Sequence, residues 1–252
     1  MPDTTIEIHE LSVRSLRLVG LAGYVELTTA TGFIVEHDGV PYLITNRHVA
    51  TARDPRTGEP LHPELPEQDS LAIYHHAEGQ LGSWLAVVEP LYHPDGSPRW
   101  LQHPDGLEID VIALPLNVSG EPVDLHSFPL HLSNVDAVPE PAMPVSIIGF
   151  PLGLAVAGSL PIWKTGHIAS DPAIDFDGKP AFLIDATTRG GMSGSPVVLK
   201  AHGGYRTSDG RRPMRDITKF LGIYSGRIHR DSEVGIVWKP HVIKEILSAG
   251  TS

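Results

Sequence analysis

Residues 190–196 read Gly-Gly-Met-Ser-Gly-Ser-Pro, and this stretch is the strongest single indication of the fold. Glycines on both sides of Ser193 permit a sharp, strained turn in which larger side chains would clash. Such a turn can aim the backbone N–H groups of Gly191 and Ser193 at one point beside the serine hydroxyl, as in an oxyanion hole. The same residues are compatible with an ordinary Gly/Ser turn between two strands, so the interpretation depends on the rest of the chain.

A serine that acts as a nucleophile needs a general base, since its hydroxyl is weakly nucleophilic at neutral pH. His48 follows the apolar residues 42–44 and the polar residues 45–47. This pattern predicts an imidazole held in a polar turn at the end of a rigid strand. The chain has 14 histidines, and for any single one a solvated surface position is the ordinary interpretation.

The base in turn needs a carboxylate that fixes its tautomer and stabilises the imidazolium. Asp110 is the one acid inside the otherwise apolar run Ile109–Leu114, where an unpartnered carboxylate would be costly to bury. An edge-strand aspartate that faces water is the alternative. The order His48, Asp110, Ser193 is that of chymotrypsin-type triads and differs from the subtilisin and α/β-hydrolase orders.

Composition favours an all-β protein with two halves. The 252 residues are 41% hydrophobic, and 25 Gly and 23 Pro separate short apolar runs along the whole chain. We expect a first half, residues 1–120, that carries His48 and Asp110, and a second half, residues 121–252, that carries Ser193. Residues 117–144 are interpreted as a linker. The expected strands are 15–27, 32–36, 42–45, 71–75, 85–88, 109–114, 145–150, 162–170, 181–187, 195–199, 220–224 and 235–238.

A helix is predicted at the end of the chain. Apolar residues at positions 242, 243, 246 and 247 fall on one helical face. Pro240 suits the first turn of such a helix, and Gly250 suits its end.

Charge and cysteine content exclude several classes of function. The formal net charge of −11 argues against a nucleic-acid-binding protein, and the locally basic stretch Arg206–Lys219 is interpreted as a solvated hairpin loop. The chain has no cysteine, which excludes disulfides and thiolate metal sites. This fits the cytoplasm, and an exported bacterial protein can also lack cysteine. The first ten residues have no features of a signal peptide, and no apolar run is long enough to span a membrane. His93 and His103 each begin a His-Pro-Asp-Gly turn, which explains them better than a metal site does.

Taken together, these segments resemble the bacterial trypsin-like serine peptidases of the chymotrypsin-fold family, over roughly residues 20–247. The resemblance implies an all-β fold of two six-stranded antiparallel β-barrels with a C-terminal α-helix and a triad in the cleft between the barrels. It is carried by the segments Thr31–Val35, Tyr42–Val49, Ile109–Leu114, Val145–Pro151, Gly191–Pro196 and Gly222–Gly226.

The resemblance also implies a function: a serine endopeptidase that acts on protein or peptide substrates through an acyl-enzyme, with no cofactor or metal. The implied pocket for the residue before the scissile bond (P1) is bounded by the segments 186–190, 224–227 and 234–236. Thr187 stands where members that cut after Lys or Arg carry an aspartate, so an uncharged P1 residue is expected. The implied substrate-binding residues are Thr187, Thr188, Tyr224, Ser225 and Gly226.

One departure from the family pattern concerns activation. Met192 precedes the nucleophile where animal digestive members carry an aspartate that pairs with a newly cut N-terminus. We therefore expect activity without an N-terminal cut, with the loop ordered by packing, by substrate or by a regulatory partner protein. Two other functions fit the sequence: a non-catalytic binding module of the same fold, and an esterase that uses the same triad.

Overall fold

The computed structural model describes residues 7–61 and 63–250. The described residues form three α-helices and fourteen β-strands. The helices are α1 (Glu10–Arg14), α2 (Arg47–Thr51) and α3 (His241–Ala249). The strands are β1 (Ser15–Ala22), β2 (Val25–His37), β3 (Val40–Thr45), β4 (Ser70–Ala77), β5 (Gln80–Pro90), β6 (Leu101–Gln102), β7 (Ile112–Pro115), β8 (Val123–Asp124), β9 (Pro144–Gly149), β10 (Ile162–Ile168), β11 (Ala181–Asp185), β12 (Pro196–His202), β13 (Asp216–Arg227) and β14 (Val234–Trp238).

The first half is an antiparallel sheet of eight strands. Its hydrogen-bonded order is β5-β4-β1-β2-β3-β7-β6, and β8 pairs with β4 outside this path. Within the described residues this path is open, with β5 and β6 at its two ends, whereas the sequence predicts a six-stranded barrel for this half. The two-residue strands β6 and β8 account for the larger number, since neither has enough residues to show a strand pattern in the sequence.

The second half is a closed barrel of six strands, ordered β10-β11-β14-β13-β12-β9. Closure leaves no unpaired sheet edge. The prediction of an all-β, chymotrypsin-like architecture with a C-terminal helix is confirmed, and this half has the predicted number of strands.

A hydrophobic core joins the two halves. It combines first-half residues such as Phe33 and Ile44 with second-half residues such as Val198 and Phe220. Helix α3 adds its apolar face to this core: its four residues at positions 242, 243, 246 and 247 are buried. The helix begins after Pro240 and ends before Gly250, as predicted. The two halves are therefore packed on each other through side chains from both halves.

Several segments differ from the sequence predictions. Asp110 lies just before β7, since the 3-10 turn Gly106–Glu108 delays the start of that strand. The expected linker contains β8 and the 3-10 helix Leu130–Asn134, and the Phe128 N–H donates to the Ile34 carbonyl at 2.7 Å. Strand β8 thus adds a piece of chain beyond residue 120 to the first-half sheet.

Two further predictions concern the surface and the start of the chain. Most of the basic stretch forms the loop between β12 and β13, as interpreted from the sequence. None of the described helices has the length and apolar character needed to cross a bilayer. The interpretation of the first ten residues falls largely on residues 1–6, which lie outside the described part of the chain.

Candidate active site

His48 and Asp110 form a tight pair in the first half. His48 lies in α2, directly after β3, and its Nδ1 is 2.6 Å from Asp110 Oδ2. The His48 main-chain N–H also donates to Asp110 Oδ1 at 2.9 Å. The carboxylate is nearly buried, with its side chain 4% exposed. Because a carboxylate only accepts hydrogen bonds, Nδ1 carries the proton and Nε2 is left as the acceptor.

The main chain of Asp110 is fixed by the residues that precede the histidine. Asn46 Nδ2 donates to the Asp110 carbonyl at 2.8 Å, and the Arg47 N–H donates to the same oxygen at 3.4 Å. Asn46 is fully buried. Sequence reasoning assigned Asn46 no role, although it lies in the histidine motif. It ties the segment before His48 to the main chain of Asp110.

Ser225 contributes from the second half in a way that sequence reasoning missed. It was predicted as a substrate-binding residue, and its Oγ donates to Asp110 Oδ2 at 2.7 Å. The pairing of β13 with β14 shifts register between Tyr224 and Gly226, which places a bulge at Ser225. A bulge re-aims a side chain, and here the serine hydroxyl reaches across the cleft to the aspartate.

The nucleophile loop has the backbone that its glycines allow. Gly191 and Gly194 have φ values of +92° and +85°, in the left-handed region that favours glycine. A Cβ on Gly191 would lie 2.2 Å from the Phe150 carbonyl oxygen, and one on Gly194 would lie 2.0 Å from the Thr31 oxygen. Within the described chain, the N–H groups of Gly191 and Ser193 donate no hydrogen bond to another residue. Both predicted oxyanion donors are thus available.

Thr31 of β2 holds this loop from the first half. Its hydroxyl donates to the Gly191 carbonyl at 2.8 Å and accepts from the Phe150 N–H at 3.1 Å. The Thr31 N–H donates to the Ser193 carbonyl at 2.9 Å. Thr31 is fully buried. Its position in the motif Thr31–Val35 is the one sequence signal that could have identified it.

The Ser193 hydroxyl and His48 share one cavity. Ser193 Oγ donates a long hydrogen bond of 3.5 Å to the Ser225 carbonyl, and within the described residues no hydrogen bond joins it to His48. Catalytic hydrogen bonds of this kind are often long in the free enzyme and tighten when substrate binds. The cavity, of about 450 Å³, is lined by Leu27, Thr28, Thr29, Ala30, His48, Val49, Leu61, Leu152, Gly190, Gly191 and Ser193.

A second cavity, of about 640 Å³, includes Asp110 and Ser225 in its lining. Two contacts between the halves cross this region. Arg56 Nη1 donates to the Ile228 carbonyl at 2.8 Å, and Lys179 Nζ lies 2.7 Å from Glu108 Oε2. His48 and Ser193 therefore line an uncharged cavity, and Asp110 lines a groove with paired charges.

The predicted residues of the P1 pocket divide into exposed and buried groups. Thr187 is exposed, and Gly226 is half-buried in β13. Thr188 and Tyr224 are buried inside the second barrel, where their hydroxyl groups are hydrogen-bonded to each other. Burial raises the pKa of Tyr224 to about 12, so this phenol is neutral at physiological pH.

Met192 packs inside the second barrel. It is fully buried in the cluster that also contains Ile184, Val197 and Tyr224. Its N–H donates to the Arg189 carbonyl at 3.3 Å. An apolar side chain therefore occupies the position before the nucleophile, and the loop is held there by packing. The expectation of activity without an N-terminal cut remains a prediction.

The paired β-halves, with a histidine and an aspartate from one and a serine on a glycine-rich loop from the other, define the chymotrypsin-like class of folds. Residues 30–204 match the family model of the trypsin-like peptidase domain. The chain belongs to this family. A search among curated proteins found no significant match.

Solved structures of serine proteases share the fold. A serine endoprotease from Yersinia pestis is 15% identical and has a TM-score of 0.53, over 97% of this chain and 67% of that one. A thermostable serine protease, AL20, from an extremophilic microorganism is 14% identical and also has a TM-score of 0.53, over 97% of this chain and 100% of that one. At such identities the likeness establishes the fold alone, and it is the family match that supports peptidase activity.

Proposed function

We propose that the chain is a serine endopeptidase that hydrolyses peptide bonds through Ser193, His48 and Asp110. The observation that carries this proposal is the double hydrogen bond of His48 to Asp110, through both its ring and its main chain, beside a cavity that also contains Ser193. A histidine fixed in this way presents Nε2 as a base toward that cavity. Membership in the trypsin-like peptidase family supports the same reaction.

In the proposed reaction, Ser193 Oγ attacks the carbonyl carbon of the scissile bond while His48 Nε2 takes the hydroxyl proton. The carbonyl oxygen becomes negative and accepts hydrogen bonds from the N–H groups of Gly191 and Ser193. Asp110 stabilises the imidazolium, and the Ser225 hydroxyl donates to the same carboxylate oxygen. The C–N bond then breaks, and the leaving amine takes its proton from His48.

The second stage regenerates the enzyme. Water attacks the ester on Ser193 and gives a proton to His48 Nε2, and the bond between Oγ and the acyl carbon breaks with return of that proton to Ser193. The products are a carboxylic acid and an amine, so atoms and charges balance without a cofactor. Removal of one oxyanion-hole donor typically lowers the rate by about 10²–10³-fold, so we expect each of the two N–H groups to contribute a factor of this size.

Labelling by a fluorophosphonate, followed by peptide turnover, tests the proposal. We expect stoichiometric labelling of the wild type, no labelling of Ser193→Ala and a loss of turnover of about 10⁴-fold or more in that variant. Ser195→Ala is the matched control, since Ser195 lies two residues away and is fully buried; it should keep its label. Circular dichroism should show both variants folded, because loss of a hydroxyl leaves no large cavity.

Three results would contradict the proposal in different ways. An unlabelled wild type would favour a non-catalytic binding module. A labelled wild type that turns over esters and no peptides would favour an esterase. Loss of the label in Ser195→Ala, with Ser193→Ala still labelled, would mean that the nucleophile has been assigned to the wrong serine.

A further inference from the structure

The resemblance to trypsin-like peptidases implies that the substrate residue before the scissile bond lies near Tyr224. The implied pocket for that residue is bounded by the segments 186–190, 224–227 and 234–236. The backbone of Tyr224 borders this space: its N–H donates to the Ser195 carbonyl, and its carbonyl accepts from the Gly194 N–H, each at 2.9 Å. Its side chain therefore decides how much room remains.

The Tyr224 side chain contacts the other two segments that bound the implied pocket. At one end its hydroxyl is hydrogen-bonded to Thr188 Oγ1, on the opposite segment. At the other end the ring covers Gly235 of β14, where an added Cβ would lie 2.5 Å from Tyr224 Cε2. Both Tyr224 and Thr188 are buried, at 2% and 1% exposure. The ring joins all three segments that the sequence assigned to the pocket.

An ion pair joins two of the three segments that bound the implied pocket. Arg189 Nη1 lies 3.6 Å from Glu233 Oε1, with both side chains about half exposed. Arg189 Nη1 also donates to the Thr188 carbonyl at 2.7 Å. The pair links the segment before the Ser193 loop to the residue just before β14.

We propose, on the basis of the proposed peptidase function, that Tyr224 closes the P1 pocket and restricts cleavage to bonds that follow a small residue such as Gly, Ala or Ser. A larger side chain can enter only if the ring swings out. That movement would break the bond to Thr188 and leave buried hydroxyl groups without partners. Substrate recognition then depends on contacts outside the pocket, such as the uncharged cavity beside His48.

The test is a series of peptides that differ only at P1, with the concentration of active sites set by fluorophosphonate titration. For the wild type we expect kcat/KM for Ala to exceed that for Leu or Phe by at least about 10²-fold. Tyr224→Val should raise the value for Leu relative to Ala by about tenfold or more. Tyr224→Phe keeps the ring and loses the bond to Thr188; its preference for Ala should be smaller than that of the wild type and larger than that of Tyr224→Val.

Tyr205→Val is the matched control. Tyr205 is also buried, and its hydroxyl accepts a hydrogen bond from Arg215 in the loop between β12 and β13. This variant loses the same side-chain volume and should keep the P1 ranking of the wild type. Because rates are expressed per titrated site, partial unfolding of a variant does not change the ranking.

The outcomes separate this inference from the proposed function. A titratable enzyme that cleaves after Leu, Phe, Lys or Glu as fast as after Ala would overturn the inference and leave the peptidase function intact. An unchanged ranking in Tyr224→Val, or a shift in Tyr224→Phe equal to that in Tyr224→Val, would also overturn it. If Tyr224→Val does not fold, the wild-type and Tyr224→Phe series still decide. A wild type that no fluorophosphonate labels would refute both proposals.

Discussion

The interiors of the two halves differ in polarity. The second barrel is filled by an apolar cluster that includes Ile147, Phe182 and Leu199, and the buried polar residues of its strands and nucleophile loop are neutral, among them Thr188 and Ser195. The first half has an apolar core as well, yet it also buries titratable side chains. These are His75, His76, Glu89 and Asp110, with His103 at the edge.

The buried histidines of β4 show this difference in interior polarity most clearly. His75 is fully buried, and neither of its ring nitrogens has a hydrogen-bond partner within the described chain. Burial, and to a smaller degree the neighbouring His76, lowers the pKa of His75 to about 4. Burial also lowers the pKa of His76, whose Nε2 lies 3.1 Å from the Val13 carbonyl. Glu89 is instead paired with Arg99, at 3.0 Å.

This comparison indicates a division of roles. The first half supplies the proposed base and its carboxylate, and its interior is sensitive to acid. The second half supplies the proposed nucleophile on a closed barrel, and its loop is held by Thr31 from the first half. We therefore expect substitutions in either half to affect the proposed triad. Those in the first half act through the base and its carboxylate, and those in the second half act through the loop that carries Ser193.

The largest expected effect comes from Asp110→Asn in the first half. An amide can still form hydrogen bonds, but it favours the wrong imidazole tautomer, and kcat should fall by roughly 10⁴-fold. Stopped-flow or steady-state turnover at constant pH, on protein shown to be folded by thermal melting, measures the loss.

Asp105→Asn is the control for this prediction, since Asp105 is a nearby exposed acid with its Oδ2 3.6 Å from His103 Nδ1. Its turnover should match that of the wild type. An active Asp110→Asn enzyme would mean that another acid, such as Asp95, Asp105 or Asp124, serves His48.

The acid sensitivity of the first half should appear as a dependence of stability on pH. In the unfolded chain His75 titrates near 6.5, so between pH 6.5 and about 4 the unfolded state binds more protons than the folded state. His75 therefore does not reduce the free energy of unfolding above pH 6.5, and the free energy of unfolding decreases as the pH falls from 6.5 toward 4. The free energy of unfolding should decrease by about 3 kcal/mol over this range from His75 alone. Urea denaturation at several pH values measures it.

His75→Leu should flatten this pH dependence, because leucine fits a similar volume and cannot bind a proton. His202→Leu is the control, since the His202 side chain is 78% exposed. A pH profile of stability that is the same in His75→Leu and in the wild type would show that His75 is not protonated on unfolding in this range.

The smallest of these effects is expected for Thr31→Val, which removes the clamp between the halves. The Gly191 carbonyl and the Phe150 N–H would both lose a buried partner, at a cost of about 1–3 kcal/mol in stability. The looser oxyanion loop should lower kcat by about 10- to 100-fold. KM should change little, because the substrate contacts are retained.

Thr165→Val makes the same exchange at an exposed position of β10 and should leave both quantities unchanged. An equal loss of kcat in the two variants, or a loss of stability with full kcat in Thr31→Val, would show that the clamp does not act on the loop.

The features that were predicted correctly depend on residues that are close together in the sequence. Ser193 was identified because its glycines permit positive φ, and Gly191 and Gly194 do adopt it. The terminal helix was predicted with nearly its observed limits, since periodicity and capping act over a few residues. The strand expected at 109–114 was placed too early, because the turn before Asp110 has no strong local signal.

The sequence by itself determined the two β-halves, the closing helix and the three candidate catalytic residues, since each lies in a motif whose chemistry is local. Only the tertiary structure decided which residues surround them. Thr31 and Gly191 are 160 residues apart, and Ser225 and Asp110 are 115 apart. No pattern of neighbouring residues encodes contacts at such separations. They arise when the two halves pack. The contacts of Tyr224 with Thr188 and Gly235, which carry the proposed restriction of the P1 pocket, arise from packing within the second half.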